Sequence, residues 1–335
     1  MQNSQSVHLL DSKSTRNLHA LMLKKDIVAV IDVGSNSIKL LVAQKSADGK
    51  SFEKVFSKAL EIRISAGISH QNHELTEDEM CIGIQSIAVL VHLARDYDPS
   101  TIKIVATSAV RDAINGPEFA ERVNKATGIR LDVLSGIEEA THIGSGLRCD
   151  PLIAGMGHFV QMDIGGGSLE LISLSQDSIQ DVCSLQLGAV RLTEKFVPDC
   201  TVAIDSATQT IIQNHVMESV ETSGFNFEPT TDPMTVTGGA FSVIRLILAA
   251  QAVDEATDTS PVLNKKDITR LRQTLCNLSL DERKALPGLP AARADVMPTA
   301  LITIDTILEL AGRDTIIHSS YNLRYGIAAE LLAQS

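Results

Sequence analysis

The chain has no tryptophan among its 335 residues, and aromatic residues make up only 3% of it. This scarcity argues against a base-stacking platform for nucleic acid and predicts a core of mostly aliphatic side chains. The formal net charge of −12 opposes non-specific binding of polyanions. We therefore expect no nucleic-acid partner. If the substrate is itself a polyanion, local positive groups and a metal ion must overcome the overall field.

The chain also lacks paired cysteines and long apolar runs. Its five cysteines are widely spaced and form neither a CxxC motif nor a cluster with histidine, which is typical of a reduced cytosolic protein. No apolar run reaches the length of a membrane span. Residues 1–25 are polar and mildly basic, without the apolar centre of a signal peptide. These absences predict a cytoplasmic protein with no membrane partner, which begins with a tail over residues 1–25.

What the chain does contain is a pair of glycine- and serine-rich turns, each directly after an aspartate that closes an apolar run. The first is residues 32–37 (DVGSNS) and the second is residues 163–168 (DIGGGS). An apolar stretch follows each turn, so both are predicted to join two strands. Glycine lets the backbone approach an anion, while serine, asparagine and backbone N–H groups donate to phosphate oxygens. An aspartate is a hard oxygen ligand for Mg²⁺. Two such turns predict a phosphate chain held between duplicated domains.

The remaining pattern predicts an α/β fold with mixed sheets. The first half has the pattern of a β-meander over residues 27–66, an amphipathic helix after Thr76, and crossovers leading to a strand at 130–134. The second half repeats this plan after a hinge near residues 134–136. Finer expectations are a fourth meander strand at 60–64 and one helix at 291–311. The predicted organisation is a tail, a first domain that the C-terminal helix completes, and a second domain: residues 1–25, 26–135 with 321–335, and 136–320.

Several motifs together resemble the signatures of the exopolyphosphatase / guanosine pentaphosphate phosphohydrolase (Ppx/GppA) family. They are residues 32–37, 135–140 (SGIEEA) and 163–168, with further matches at 107–111 (TSAVR), 187–191 (LGAVR), 289–295 (LPAARAD) and 323–326 (LRYG). The resemblance implies two actin-like, ribonuclease-H-type domains with the active site in the cleft between them. It also implies Mg²⁺-dependent release of the terminal phosphate from inorganic polyphosphate, or of the 5′ γ-phosphate from guanosine pentaphosphate. Longer members carry an added C-terminal helical region, so this chain resembles the short two-domain form, and family analogy favours a homodimer.

The resemblance places the catalytic glutamate at Glu139. A general base near a metal takes the proton from the water that attacks phosphorus. Glu138 is interpreted as a cap or a supporting residue, because acids suit the first turn of a helix. Asp163 is predicted to be the principal ligand of Mg²⁺, with Mn²⁺ as an alternative metal. Asp32 either binds the metal or orients water, since a charge that ends an apolar strand is costly unless it is paired or metal-bound.

Phosphate oxygens are expected to bind to the two turns and to two arginines. Arg111 follows a buried strand and Arg324 lies near the C-terminus, and a guanidinium can donate two hydrogen bonds to one phosphate. The predicted phosphate-binding residues are Ser35, Asn36, Ser37, Arg111, Gly165, Gly166, Gly167, Ser168 and Arg324.

Other residues stay open between two interpretations. Arg191 either contacts phosphate or holds the second domain together. Gly238 and Gly239 form either a nucleotide-side loop or an ordinary helix start. The basic residues between 265 and 272 either face solvent or make a secondary polyphosphate contact. The nine histidines show no metal-binding spacing.

The leading hypothesis is an exopolyphosphatase that acts on short-chain polyphosphate by metal-assisted attack of water on the phosphoanhydride. The alternatives are a guanosine pentaphosphate 5′-phosphohydrolase, a catalytically weak sensor that binds guanosine tetraphosphate or another nucleotide, and an actin-like sugar or acetate-type kinase. The presence of Glu139 and Asp163 argues against the sensor, and the motif at 135–140 argues against the kinase.

Overall fold

The computed structural model describes residues 26–49, 51–64, 73–175, 178–227, 234–252 and 260–334. It confirms the predicted α/β fold, with two mixed sheets. The tail predicted over residues 1–25 lies outside the described residues. Within the part of the chain that is described, no helix is both long and apolar enough to cross a membrane.

The first half of the chain forms a five-stranded sheet with its crossover helices. Its elements are β1 (Ile27–Val33), β2 (Ile38–Lys45), β3 (Phe52–Leu60), α1 (Glu77–Arg95), β4 (Thr101–Ala106), α2 (Ser108–Arg111), α3 (Gly116–Thr127) and β5 (Leu131–Val133). The strand order is β3-β2-β1-β4-β5. The first three strands are an antiparallel meander, and β4 and β5 continue the sheet in parallel to β1.

The second half repeats this plan and extends it. Its elements are α4 (Gly136–Leu147), β6 (His158–Ile164), β7 (Leu169–Ser175), β8 (Ile179–Leu185), α5 (Ala189–Phe196), α6 (Ser206–Ser223), β9 (Met234–Thr237), α7 (Gly239–Gln251), β10 (Val262–Asn264), α8 (Lys265–Asn277), α9 (Leu280–Lys284), a 3₁₀ turn (Ala291–Arg293), α10 (Met297–Leu310), β11 (Thr315–His318) and α11 (Leu323–Gln334). The strand order is β10-β11-β9-β6-β7-β8. A meander (β6 to β8) followed by two parallel strands (β9, β11) thus recurs, with β10 added antiparallel at the edge.

Aliphatic side chains fill the core on both faces of the first sheet. On β1, Ile27, Ala29 and Ile31 pack toward α1, whereas Val28 and Val30 pack against α4 and α11. A strand covered on both faces has a nearly continuous apolar sequence, and β1 is apolar from Ile27 to Ile31, before Asp32. The C-terminal helix α11 therefore packs on the first sheet together with α4, and the domain boundaries stay a prediction.

Helix starts follow their local chemistry, and two finer sequence predictions were wrong. Thr76 caps α1 in a capping box with Glu79. No fourth meander strand exists at 60–64, because the chain leaves the sheet after β3 and turns its charged side chains toward the second half. The predicted helix at 291–311 is a 3₁₀ turn followed by α10, which begins at Met297 because Pro298 stands in its first turn.

Candidate active site

The two glycine-rich turns contact each other across one cleft. The first loop (residues 34–37) joins β1 to β2, and the second loop (residues 165–168) joins β6 to β7. A methyl group at Gly166 would lie 2.9 Å from Cβ of Ser35, and one at Gly167 would lie 2.1 Å from Oγ of Ser108. Glycine at these two positions is what allows such a close approach. The structure therefore brings together the two turns that the sequence analysis singled out.

Most of the predicted site residues line the cleft beside these loops. The cleft is open, and its free space is about 830 Å³ when the solvent at its mouth is included. Its walls include Asp32, Asp163, Glu139, Ser35, Asn36, Ser37, Gly165, Gly166 and Ser168. Gly167, also in the second loop, packs against Ser108 and Ser35. Of the two predicted arginines, Arg111 lies behind Glu139 and Arg324 lines an adjoining pocket.

Glu139 is a buried carboxylate on the wall of the cleft. It lies in the first turn of α4 with 8% of its surface exposed. Arg111 donates from Nη1 to Oε2 of Glu139 at 2.9 Å and to the carbonyl oxygen of Leu134 at 3.0 Å. Burial raises the pKa of Glu139 well above 4.5 and the charge of Glu170 raises it further, while Arg111 opposes both effects. A carboxylate with a raised pKa is a stronger base near neutral pH.

Glu170 is a second buried acid at the site, and the sequence analysis missed it. It lies on β7 directly opposite Asp163, with 1% of its surface exposed, and Oγ of Ser184 donates to its Oε1 at 2.8 Å. Burial and the charge of Asp163 raise the pKa of Glu170 to about 7 against the hydrogen bonds from Ser168 and Ser184. A signal for Glu170 did exist in the sequence. Glu170 follows Asp163 at the same interval at which Lys39 follows Asp32, so the two residues occupy equivalent positions in the two halves.

Replacing Glu170 with glutamine should change how stability depends on pH. The pKa of Glu170 is raised from 4.5 to about 7, so between those values the folded protein keeps a proton that the unfolded chain releases. Its stabilising contribution is complete below the unfolded pKa and is lost as the pH rises through the folded pKa, a change of about 3 kcal/mol. Urea unfolding at about pH 5 and about pH 8 measures it. Relative to wild type, Glu170→Gln should gain stability toward the higher pH, and parallel pH curves would contradict this assignment.

Asp32 and Asp163 are the last residues but one of β1 and β6, and both line the cleft. Burial raises the pKa of both, while the nearby charge of Lys39 lowers them, and the hydroxyl of Thr237 donates to Asp163. Among the described residues no group of three or more histidine, cysteine or acidic side chains forms a metal cage. Mg²⁺ is usually bound by one or two carboxylates together with waters and substrate phosphates. Two desolvated carboxylates on the wall of one open cleft fit that ion.

Several buried donors around the cleft have no partner within the described residues. They are Nδ2 of Asn36, Nη2 of Arg111 and Nε of Arg324. A buried donor without an acceptor is costly, so such groups in a folded protein call for an explanation. All three belong to residues that were predicted to bind phosphate, and a bound phosphate would supply the acceptors. Their role in phosphate binding stays a prediction.

A second pocket, which we call the basic pocket, adjoins the cleft. It shares Lys39, Gly238 and Arg293 with the cleft. Its cationic residues are Lys39, Lys54, Lys58, Arg293 and Arg324, and the acid among its described lining residues is Glu61. The sequence analysis required local positive charge to offset the overall −12 but named only Arg324 of this group. The four other cations come from β2, β3 and the 3₁₀ turn, and only the fold gathers them.

The structure also bears on the residues that were left open. Glu138 completes a capping box with Ser135, whose backbone N–H donates to it at 2.8 Å. Arg191 joins the two halves, because it donates to the carbonyl oxygen of Gly167 at 2.8 Å and pairs with Asp112. Gly238 and Gly239 both begin α7 and line the cleft. Three of the basic residues between 265 and 272 have acidic partners: Lys265 with Glu309, Arg270 with Asp267, and Arg272 with Asp305.

Related proteins of known sequence share most of this chain. The sequence model of the Ppx/GppA phosphatase family matches residues 41–335. A protein named guanosine-5′-triphosphate,3′-diphosphate pyrophosphatase from Vibrio atlanticus is 29% identical over 313 residues, which is 91% of this chain and 59% of that protein. Its namesake from Vibrio vulnificus is 28% identical over 92% of this chain and 60% of that protein. The chain therefore spans about three fifths of the length of these curated relatives.

Solved structures share the fold. The Aquifex aeolicus PPX-GPPA enzyme aligns with a TM-score of 0.73 at 25% identity, over 91% of this chain and 99% of that chain. An exopolyphosphatase from Cytophaga hutchinsonii aligns with a TM-score of 0.81 at 24% identity, over 92% of this chain and 98% of that chain. Because the family model covers far more than half of the residues and the fold is that of these structures, the chain belongs to the Ppx/GppA phosphatase family.

Proposed function

We propose that this chain is a phosphohydrolase that releases the terminal phosphate from a chain of phosphoanhydrides, and that inorganic polyphosphate is its substrate. One observation carries the proposal: two glycine-rich loops touch each other around a single cleft that has a buried glutamate on its wall. The loops offer backbone and hydroxyl donors to phosphate oxygens. Glu139 offers a base of raised pKa beside them.

The proposed reaction assigns roles to the polar residues of the cleft. The two loops, with Asn36 and Ser168, hold the terminal phosphate. Glu139 takes the proton from the attacking water, and Arg111 keeps that carboxylate in place. Asp163 and Asp32 would hold Mg²⁺, which supplies compensation for the charge on the phosphoryl oxygens. Positioning and charge compensation account for most of the catalysis in phosphoryl transfer.

The basic pocket supports a polyphosphate that extends beyond the cleft. The pocket adjoins the cleft at Lys39 and Arg293, and we expect the second and later phosphates of a chain to leave the cleft on this side. A run of phosphates matches a row of cations without requiring a specific base. The pocket therefore favours inorganic polyphosphate, in which every unit past the first carries negative charge.

Replacing Lys54 and Lys58 together with alanine should weaken binding of longer chains. Both lysines are exposed on β3 and line the basic pocket but not the cleft. We expect KM to rise about fivefold for polyphosphates of tens of units, since exposed charges contribute about 1 kcal/mol and are screened by salt. Tripolyphosphate should change little. The control is Lys125→Ala with Arg130→Ala, which removes two exposed cations that line neither pocket. An equal effect of both pairs, or on both substrates, would contradict the placement.

Guanosine pentaphosphate is the second candidate substrate, because the curated relatives carry the name of a pyrophosphatase acting on it. Phosphate release should be measured on polyphosphates of defined length and on guanosine pentaphosphate, with and without Mg²⁺. Faster turnover of polyphosphate supports our leading proposal, and faster turnover of the nucleotide supports the alternative. Tight binding of guanosine tetraphosphate without any phosphate release would favour a sensor. Formation of ADP from ATP only when a phosphate acceptor is present would favour a kinase.

We also propose a homodimer by family analogy, which sedimentation velocity tests.

A further inference from the structure

Two arginine–carboxylate pairs join the halves of the chain at one side of the cleft. Arg63, after β3, donates from Nη1 and Nη2 to the two carboxylate oxygens of Asp295 at 2.7 and 3.1 Å. Arg293, from the 3₁₀ turn, donates from Nε and Nη2 to the carboxylate of Glu61 at 2.8 and 3.2 Å. In residues 61–63 the acid precedes the arginine, whereas in residues 293–295 the arginine precedes the acid. The two segments are therefore complementary in charge. We call these two pairs the latch.

Arg63 has a third contact, which reaches into the phosphate site. Its Nε donates to Oδ1 of Asn36 at 2.8 Å. Because Oδ1 accepts from the guanidinium, the amide of Asn36 is fixed in one of its two orientations. Its Nδ2 is buried and has no partner among the described residues, and Asn36 lines the cleft. A guanidinium is planar and rigid, so the bonds to Asp295 and to Asn36 hold each other in place.

We propose that Arg63 is a positioning residue, which keeps the N–H₂ group of Asn36 directed at the terminal phosphate only while Asp295 holds Arg63. The inference rests on the proposed function, since it takes a phosphate as the acceptor for that amide. If the halves were to separate, Asp295 would leave with the second half and Arg63 would lose the two bonds that fix its plane. The side chains of Arg63 and Asn36 would then regain rotamer freedom.

The test is a double-mutant comparison of Arg63→Met and Asn36→Ala. Each single variant should raise KM for tripolyphosphate roughly 10- to 100-fold, the effect of losing one hydrogen bond to a charged ligand. Because both act through the same amide, the double variant should be no worse than the single ones within about twofold. The same pattern should appear in calorimetric binding of inorganic phosphate, which needs no turnover.

Two further variants distinguish a positioning role of Arg63 from a general loss of stability. Arg122→Met removes a two-bond arginine pair with Glu77, which lies within the first half and away from the cleft. It should leave KM unchanged and lower the melting temperature about as much as Arg63→Met does. Arg63→Met with Asp295→Asn removes the stranded carboxylate and should keep the full defect of Arg63→Met.

The inference would be overturned if the increases in KM caused by Arg63→Met and Asn36→Ala multiply in the double variant. It would also be overturned if Arg63→Met raises KM no more than Arg122→Met does. A wild-type protein that releases no phosphate from any substrate would overturn the proposed function instead. In that case the binding of inorganic phosphate still decides the inference about Arg63.

Discussion

Replacing Glu139 with glutamine is expected to lower phosphate release by about a thousandfold, in the range that general acid–base catalysis contributes. Glutamine keeps the size of the side chain and can still accept from Arg111, but it cannot take a proton from water. Binding should survive, because the donors that we propose to hold phosphate belong to the two loops. Single-turnover phosphate release and calorimetric binding of tripolyphosphate separate the two effects.

The matched control for this variant is its neighbour, Glu138→Gln. Glu138 is an exposed carboxylate on the same helical turn, and it caps α4 rather than facing the cleft. Its replacement should leave the rate near that of wild type and lower the stability by at most about 1 kcal/mol, since glutamine also serves in a capping box. Near-normal turnover of Glu139→Gln, or equal losses in the two variants, would show that another residue is the base.

The second large effect is expected for Asp163→Asn. The asparagine retains the shape and can still accept from Thr237, but it is a much weaker ligand for Mg²⁺. Turnover should fall by about a hundredfold or more, because the ion contributes several kcal/mol of charge compensation. In the presence of a chelator the same variant should be more stable than wild type above neutral pH. The reason is that burial raises the pKa of Asp163, so its ionised form is unfavourable in the metal-free fold.

Activity against Mg²⁺ concentration and thermal unfolding in a chelator measure these two effects. Asp199→Asn is the control, since Asp199 is exposed and accepts hydrogen bonds from its near neighbour Thr201. An Asp163→Asn enzyme with an unchanged dependence on Mg²⁺ would mean that the ion, if needed, binds elsewhere. If Asp163→Asn loses activity and is also less stable than wild type in the chelator, the variant has a folding defect instead.

The sequence predicted the parts of the site that come from local patterns. An aspartate that closes an apolar run and is followed by glycine and serine predicts a strand and a tight turn, and the turn fixes where its donors lie. Glu139 was predicted from the resemblance, because it lies in the matched motif at residues 135–140 (SGIEEA). The repeat of the two halves was visible for the same reason, since each begins with such a turn.

The residues that were missed are those whose position depends on pairing between distant segments. Glu170 has the pattern of an ordinary strand residue until β7 pairs with β6 and buries it opposite Asp163. Lys54 and Lys58 have the pattern of solvent-facing residues of an edge strand until Arg293 and Arg324 come to lie in the same pocket. Arg63 and Asp295 are separated by most of the chain, and no local pattern reports that they pair.

The most direct test of the central claim is to locate a bound metal ion and phosphate chain together. Crystals of the Glu139→Gln variant grown with Mn²⁺ and tripolyphosphate allow the ion to be found by its anomalous scattering. We expect Mn²⁺ within bonding distance of the Asp163 carboxylate, with the terminal phosphate between the two loops and the remaining phosphates directed toward the basic pocket. An ion away from both aspartates, or a phosphate chain bound outside the cleft, would contradict the account.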